Sequence, residues 1–245
     1  MKRLLNYFRI NDSIGSQLRT TCRHTSWLSS VKSKQMAESG PKQQLYDYFL
    51  VLDFEATCDK PKQLDPMEII EFPVVKVNAK TFESEEVFHR YVRPIHHPKL
   101  TPFCCQLTGI IDDMVADEKR FDVVLNDFNQ WLHSVGLICG DYQRCLKKFT
   151  FVTCGEWDLQ LMLPNQCQLL NLRIPLYLRT WVNVKKSYAE WSGVWPKSMS
   201  FMLEELKIKP KGRLHSGIDD CHNIVHIMKT LAQRGVVFKN TSSEW

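Results

Sequence analysis

Acidic residues at the ends of predicted strands are the side chains of this sequence whose types and spacing suit catalysis. Asp53 and Glu55 end the apolar segment Tyr48 to Phe54. Side chains alternate across a strand, so these two carboxylates project from the same face. At close range they repel each other by about 4 kcal/mol at an effective dielectric constant of about 20. The pair therefore favours a nearby cation, although a solvated strand end explains it equally well when it is taken alone.

Asp158 is a further acidic candidate because of the element that it follows. It comes shortly after the apolar segment Phe149 to Cys154, which predicts another strand. The carboxyl end of a sheet strand, where a helix begins, is where α/β proteins place their sites. An acid in the first turn of a helix is also stabilised by the helix dipole. For Asp158 alone, this structural explanation is the stronger one.

His215 and Asp220 stand at the start of the last predicted helix, whose apolar residues share one face and predict packing against a sheet. Ser216 and Asp219 resemble a capping box, which gives Asp219 a structural role and leaves Asp220 free to act in a site. His215 precedes the cap in a loop from which its ring could reach that site. A lone histidine in such a loop is more often a surface residue.

The elements that must position these residues form an α/β pattern. The nearly continuous apolar run from Tyr48 to Phe54 predicts a strand buried on both faces. The turn from Asn78 to Lys80 joins the next two strands, so the domain opens with a three-stranded meander. Further predictions are strands at Glu68 to Val77, Glu86 to Val92 and Phe149 to Cys154, and helices at Val123 to His133, Met199 to Leu206 and Ile218 to Arg234, the last closed by Gly235.

Composition excludes several classes of protein. Nine cysteines without a Cys-x-x-Cys pair favour neither a disulfide framework nor a zinc site. No segment approaches the ~20 apolar residues of a membrane-spanning helix, so we expect an intracellular protein with no membrane partner. The net charge of +5 comes from residues 1–36, which hold seven of the 32 Lys and Arg residues and one acid. The remainder is near neutral, and net charge does not argue for a polyanionic partner.

Residues 1–40 are basic and rich in Ser, Thr and Arg, and they predict a leader that is disordered or serves in targeting. The first 36 residues resemble a mitochondrial presequence. A basic leader without a targeting function explains them equally well, and the expected location is then the cytoplasm, the nucleus or both. Met36 follows this segment and could start translation of a shorter form. Residues 41–245 are predicted to form one catalytic domain.

The order of the acidic motifs resembles the DEDD exonucleases, in the subgroup whose general base is histidine. The motifs are Asp-x-Glu at Asp53 and Glu55, the single Asp158, and His-x-x-x-x-Asp from His215 to Asp220. The chain is most similar to the exoribonuclease branch that contains the histone-mRNA 3′-end exonuclease, Snipper and the prion-protein-interacting exoribonuclease. The resemblance covers about residues 46 to 240, and its most specific segments are residues 52–58, 107–110, 152–159 and 215–221.

This resemblance implies a ribonuclease H-like exonuclease fold, an α/β fold in which helices flank a central mixed β-sheet. It also implies two Mg²⁺ ions, replaceable by Mn²⁺, bound among Asp53, Glu55, Asp158 and Asp220. Two hard cations about 4 Å apart suit an in-line displacement at phosphorus and take oxygen ligands. His215 is implied as the general base that deprotonates the attacking water, and an ordinary histidine pKa near 6.5 suits that role.

The implied activity is 3′ to 5′ hydrolysis of single-stranded RNA, at its 3′ ends, to nucleoside monophosphates. Substrate contacts are implied for Leu107, Thr108, Trp157, Glu55 and His215. Leu107 and Thr108 belong to the segment that lines the terminal-nucleotide pocket in this family, and Trp157 could stack on a base, although core packing explains Leu107 and Trp157 nearly as well. Several basic residues could contact phosphates, although a solvated face explains most of them better. They are Lys185, Lys186, Lys209, Lys211 and Arg213.

Alternatives to an exoribonuclease come from two directions. A DNA-directed repair or proofreading exonuclease uses the same metal chemistry, which does not need a 2′-hydroxyl, so only the branch resemblance favours RNA. A non-catalytic RNA-binding module would keep the fold, but the presence of all five catalytic residue types argues against it. The sequence identifies no protein partner.

Overall fold

A six-stranded mixed β-sheet forms the centre of the fold. The structure, a computed structural model, describes residues 40–140 and 144–242. The strands are β1 (Tyr48–Leu52), β2 (Glu55–Ala56), β3 (Ile69–Asn78), β4 (Ser84–Tyr91), β5 (Ile138–Cys139), β6 (Arg144–Cys145), β7 (Phe149–Thr153) and β8 (Trp181–Asn183). The sheet has the order β2, β3, β1, β7, β8, with β4 also paired to β3, while β5 and β6 pair with each other apart from it.

Helices cover both faces of this sheet. They are α1 (Pro102–Thr108), α2 (Asp112–Val115), α3 (Phe121–Ser134), α4 (Leu163–Leu169), α5 (Val184–Ser192), α6 (Met199–Glu205) and α7 (Gly217–Gln233), with a π-helix at Trp157–Met162 and a 3₁₀ turn at Leu176–Leu178. Leu50 and Leu52 of β1 pack with α3 and α4, whereas Phe49 and Val51 pack with α5, α6 and α7. Both faces of β1 are therefore buried, which accounts for its continuous apolar run.

The predicted fold class is confirmed, and the predicted strands and helices are present with small shifts at their ends. Gly235, with a φ of +86°, follows the end of α7 as predicted. The first strand differs, because it ends at Leu52 and not at Phe54. The short strand β2 pairs with β3 after a shift in register between Glu55 and Ala56. Asp53 therefore lies between β1 and β2, where the regular strand pairing is interrupted next to the site.

Three acid-bearing elements converge at one edge of the sheet. β1 and β7 are parallel neighbours, so their carboxyl ends, followed by Asp53 and Asp158, lie at the same edge. The N-terminus of α7 reaches this edge at Gly217, where an added Cβ would lie 2.5 Å from the Asp53 carbonyl oxygen. Only glycine permits this approach, since any larger residue would push α7 away from the sheet.

The predicted leader lies outside the described residues, which begin at residue 40. The leader, the start at Met36 and the boundary at residue 41 therefore stay predictions. Within residues 40–140 and 144–242, no helix combines the length and apolar character that crossing a membrane requires.

Candidate active site

Asp53 and Glu55 lie where β1 gives way to β2. Glu55 is 8% exposed and stands opposite Glu71 of β3. Phe54, between the two acids, packs into the core and directs its neighbours away from it. Burial raises the pKa of both acids well above the ordinary carboxyl range, and neighbouring carboxylates raise it further, chiefly Asp158 for Asp53 and Glu71 for Glu55. The two acids thus lie where negative charge is unfavourable unless a cation joins them.

Asp158 is held in the first turn of the π-helix that follows β7. Its carboxylate accepts a hydrogen bond of 2.8 Å from the backbone N–H of Phe54, which joins the end of β7 to the end of β1. The residue is 5% exposed, and burial raises its pKa to about 7. A hydrogen bond from the chain therefore fixes the position of Asp158 without neutralising its charge.

Asp220 lies in the first turn of α7 and is 5% exposed. Its Oδ2 accepts a hydrogen bond of 2.8 Å from the backbone N–H of His215. Its Oδ1 is buried and accepts no hydrogen bond within the part of the chain that the structure describes. Burial raises the pKa of Asp220 to about 6. One oxygen of this carboxylate is thus used by the fold, and the other is left for a ligand.

His215 is exposed and has a φ of +63°, which is rare for a residue other than glycine. Such backbone strain persists where the surroundings fix the chain, and it is common at functional sites. Partial loss of water around the ring and the charge of Arg213 lower the pKa of His215. One ligand atom each from Glu55, His215 and Asp220 lie within 4.8 Å of one another. The histidine therefore lies at the edge of the carboxylate cluster, which consists of Asp53, Glu55, Asp158 and Asp220.

The comparisons with known proteins agree on one family. The model of the exonuclease family, described as "Exonuclease", matches residues 50–228. ERI1 exoribonuclease 3 of Homo sapiens is 46% identical over 246 residues, which are 96% of this chain and 71% of that protein. The Bos taurus protein of the same name is 52% identical over 200 residues, which are 81% of this chain and 58% of its own length.

A solved structure gives the same answer for the fold. It is the nuclease domain of 3′hExo, a DEDDh family member bound to rAMP, with a TM-score of 0.77 and 35% identity, covering 83% of this chain and all of that one. The chain belongs to this exonuclease family. It is a DEDDh-type 3′-5′ exoribonuclease that depends on divalent metal ions, and its ribonuclease H-like fold is confirmed.

The residues of this DEDDh exonuclease fit divalent metal ions. Four carboxylates meet at one edge of the sheet: Asp53, Glu55, Asp158 and Asp220. Burial raises the pKa of each of them, because the loss of water disfavours the charged form unless a cation offsets it. The buried Oδ1 of Asp220 lacks a donor within the described residues. Hard divalent cations bind such carboxylate oxygens. The observed convergence thus fits the predicted ligand set.

Apart from Glu55 and His215, the predicted substrate residues of the exonuclease lie on α1 and on the π-helix. Thr108 is 3% exposed at the end of α1, where its hydroxyl donates to the Cys104 carbonyl at 2.9 Å and accepts from the Ile110 N–H at 3.1 Å. Leu107, beside it, is half-buried. Trp157 is half-buried against the core next to Asp158. The fold uses the Thr108 hydroxyl, so the side chains with surface left for a nucleotide are those of Leu107 and Trp157.

The predicted capping box at the start of α7 is wrong. Ser216 is the N-cap residue, but its side chain accepts no hydrogen bond from the helix. The Asp219 carboxylate instead accepts from the backbone N–H of Arg213 at 2.9 Å. Asp219 has the structural role that the sequence predicted, but it organises the loop before the helix and not the helix end.

Glu71 is the residue that caps α7, and the sequence pattern did not single it out. Its carboxylate accepts from the N–H groups of Gly217 at 2.9 Å and Ile218 at 3.2 Å, and it contacts His89 Nε2 at 2.8 Å. Glu71 is 2% exposed in the middle of the apolar strand β3. A charged residue inside such a run was the available signal, since a buried carboxylate requires partners.

Proposed function

We propose that this exoribonuclease removes nucleoside monophosphates in succession from the 3′ end of single-stranded RNA, with two Mg²⁺ ions as its cofactor. The observation that carries the proposal is that Glu55, His215 and Asp220 bring ligand atoms within 4.8 Å of one another, with Asp53 and Asp158 as their charged neighbours. Burial raises the pKa of all four acids. Its similarity to ERI1 exoribonuclease 3 and the rAMP bound to the 3′hExo nuclease domain support RNA as the substrate class.

The metal ions would be held by Asp53, Glu55, Asp158 and Asp220. When bound, such a pair lowers the pKa of water and stabilises the negative charge that develops on the attacking and leaving oxygens. The chain's part is to fix the ligand oxygens before the substrate arrives. The hydrogen bond from the Phe54 N–H orients Asp158, and that from the His215 N–H orients Asp220.

His215 would act as the general base. Partial loss of water around the ring and the charge of Arg213 lower its pKa, so the imidazole is neutral and able to accept a proton at pH 7. The proton comes from the water whose oxygen attacks the phosphorus of the last phosphodiester. The bond between phosphorus and the 3′-oxygen of the preceding nucleotide then breaks, and this oxygen takes a proton from solvent. The products are a nucleoside monophosphate and an RNA shortened by one residue with a free 3′-hydroxyl.

Leu107, Trp157, Glu55 and His215 are proposed to contact the terminal nucleotide, with Thr108 supporting Leu107 from within α1. The half-buried indole of Trp157 lies beside Asp158, and aromatic rings at such positions stack on unpaired bases. DNA is the alternative substrate, because the metal chemistry does not use a 2′-hydroxyl.

The direct test uses end-labelled single-stranded RNA, the same sequence as DNA, and an RNA stem-loop, each incubated with Mg²⁺ or with EDTA. Wild type is compared with Asp53→Ala and His215→Ala, and with Asp117→Ala as an exposed acid outside the site. We expect stepwise shortening of RNA by wild type and Asp117→Ala only, and none in EDTA. Equal shortening of RNA and DNA would overturn the ribonucleotide preference, and full activity of Asp53→Ala would overturn the site.

The location of the protein is a separate proposal that rests on residues 1–36. Their composition suits either a mitochondrial presequence or a leader of a protein in the cytoplasm, the nucleus or both. N-terminal sequencing of the protein from separated organelles distinguishes these cases. A mitochondrial form that begins after the basic segment would support the presequence, and a full-length form in every fraction would refute it.

A further inference from the structure

Arg213 connects the loop that carries His215 to the helix that carries the predicted nucleotide pocket. Its guanidinium donates to the backbone carbonyl of Gln106, and it also reaches the carbonyl of Leu107 at 3.3 Å. The last carbonyls of a helix have no partner within the helix. A cation that binds them also offsets the negative end of the helix dipole. Gly109 is the C-cap residue of α1, and Arg213, from a distant part of the chain, binds two carbonyls of the last turn.

The contact between Arg213 and α1 is close and leaves little room for change. A Cβ at Gly109, the residue that follows α1, would lie 3.2 Å from the guanidinium Nε and 3.3 Å from Cδ. The planar side chain therefore lies directly over the backbone of Gly109. Leu107 and Thr108, in the preceding turn, belong to the predicted wall of the terminal-nucleotide pocket. A shift of Arg213 would thus be transmitted to this wall.

The backbone of Arg213 is also fixed by hydrogen bonds. Its backbone N–H donates to the Asp219 carboxylate at 2.9 Å, and its carbonyl accepts from the Ser216 N–H at 3.3 Å. The same Asp219 carboxylate lies so close to Gly212 that a Cβ there would meet it at 2.1 Å. His215 lies inside this turn, between Arg213 and Ser216. The backbone that positions the imidazole is therefore the backbone that carries the guanidinium.

We propose that Arg213 is a positioning residue that sets His215 relative to the terminal-nucleotide wall at the end of α1. This inference rests on the general-base role proposed for His215. A nucleotide seated against Leu107 presents its phosphate to the imidazole only if α1 and the His215 loop keep a fixed separation. Errors of about 1 Å in such placement cost up to about 10²-fold in rate. Arg213 acts through its neighbours and does not itself contact the reacting atoms.

The test compares Arg213→Gln and Arg213→Lys with Lys211→Gln. Lys211 lies on the same loop and carries the same charge, but within residues 40–140 and 144–242 only its backbone makes hydrogen bonds, to Asn223. We expect kcat on single-stranded RNA to fall about 10- to 100-fold in Arg213→Gln, with KM changed less than about threefold. Arg213→Lys should keep less than half of the wild-type kcat, because a single ammonium cannot reproduce the planar fork. Lys211→Gln should keep the wild-type kcat, and loss of a phosphate contact by its side chain would change only KM.

A double-mutant cycle with His215→Ala separates a role exerted through His215 from other roles, and Arg213→Lys, which keeps the positive charge, separates positioning from electrostatics. If Arg213 acts through His215, adding Arg213→Gln to His215→Ala lowers the residual single-turnover rate less than twofold. A contact of Arg213 with RNA, or a general loss of structure, would multiply with the loss from His215→Ala and would overturn the proposal. Thermal midpoints of all variants identify any that fail to fold, in which case Arg213→Lys carries the same cycle.

The failures of the two proposals look different. An inactive wild type, or His215→Ala with full activity, would refute the proposed function. Only the role of Arg213 would be refuted if wild type is active, His215→Ala is impaired, and Arg213→Gln has the same kcat as Lys211→Gln.

Discussion

The carboxylate cluster and the His215 loop, residues 209–216, lie at the same edge of the sheet but are built in opposite ways. The acids follow strands or lie in the first turns of helices, and Glu55, Asp158 and Asp220 are less than a tenth exposed. The histidine lies on an exposed loop in a left-handed conformation, held by side chains of α7 and by Arg213.

The difference suits the two tasks. Metal ligands must be fixed in advance, because a misplaced oxygen loses a bond to a cation, and regular elements hold them most precisely. A general base must reach water and exchange its proton with solvent after each turnover, which requires exposure. This comparison predicts that changes in the cluster affect metal binding, whereas changes in the loop affect proton transfer.

The largest expected effect is that of Asp158→Asn, which keeps the shape of the side chain but removes its charge. We expect activity to fall about 10⁴-fold or more, or roughly 5.5 kcal/mol, which is the scale of stabilisation that bound metal ions supply. The measurement is single-turnover hydrolysis of labelled RNA at saturating Mg²⁺. The exposed Asp117→Asn is the control, and an active Asp158→Asn would remove this acid from the site.

His215→Ala should lower activity by about 10²- to 10⁴-fold, the usual contribution of a general base. Hydrolysis by this variant should lose the acid limb of the wild-type pH profile, because no imidazole is left to titrate. The profile is measured with single-stranded RNA between pH 5 and pH 9. An unchanged acid limb would show that a group other than His215 accepts the proton.

Stability of the metal-free protein should fall as the pH rises from about 4 to about 7. The folded state binds the proton of Asp158 more tightly, with a pKa of about 7, than the unfolded chain does, with a pKa near 3.9. The cost of ionisation is at most about 4 kcal/mol, at about 1.4 kcal/mol per pKa unit. Urea midpoints in EDTA at several pH values measure it.

Two comparisons check the origin of this pH dependence. Mg²⁺ should remove most of the fall, since it binds the ionised carboxylates of the folded state. Asp158→Asn should reduce the fall in EDTA, because its amide does not titrate. A metal-free protein that gained stability between pH 4 and pH 7 would contradict the raised pKa values.

Glu71→Gln should act on stability in the opposite direction to Asp158→Asn. The Glu71 carboxylate already has partners in Gly217, Ile218 and His89, so its loss removes the cap of α7 at a cost of about 1 to 3 kcal/mol. Asp158→Asn should stabilise the metal-free protein at pH 7. Urea midpoints of both variants in EDTA test this contrast, and a shift in the same direction would show that the two acids do not differ in role.

The smallest effect should come from Gly212→Ala, measured against Gly136→Ala. Both glycines have positive φ, +63° and +70°, so both changes cost about 1 to 2 kcal/mol of backbone strain. Only at Gly212 does the new Cβ meet a carboxylate, that of Asp219. We therefore expect about a tenfold lower kcat in Gly212→Ala alone. Equal kcat in the two variants would show that the loop tolerates displacement.

The contrast between cluster and loop also marks what the sequence could predict. Strands such as Phe149–Thr153 follow from apolar runs, and a carboxylate after a strand end follows from the geometry of parallel sheets. The reach of Arg213 to α1 does not follow, because it depends on a contact between residues 106 and 213. The positive φ of His215 does not follow either, because its backbone N–H is held by the side chain of Asp220. Glu71 was missed because its partners lie 146 residues away on α7.

Metal titration of the two key variants tests the central claim most directly. The positions of Glu55, His215 and Asp220 would also allow a cation bound by the histidine, since their ligand atoms lie within 4.8 Å of one another. Calorimetric titration with Mn²⁺ at pH 7.5 should give wild-type affinity for His215→Ala and at least about tenfold weaker binding for Asp158→Asn. Weak binding by His215→Ala with retained binding by Asp158→Asn would contradict the assignment of acids to metal and histidine to proton transfer.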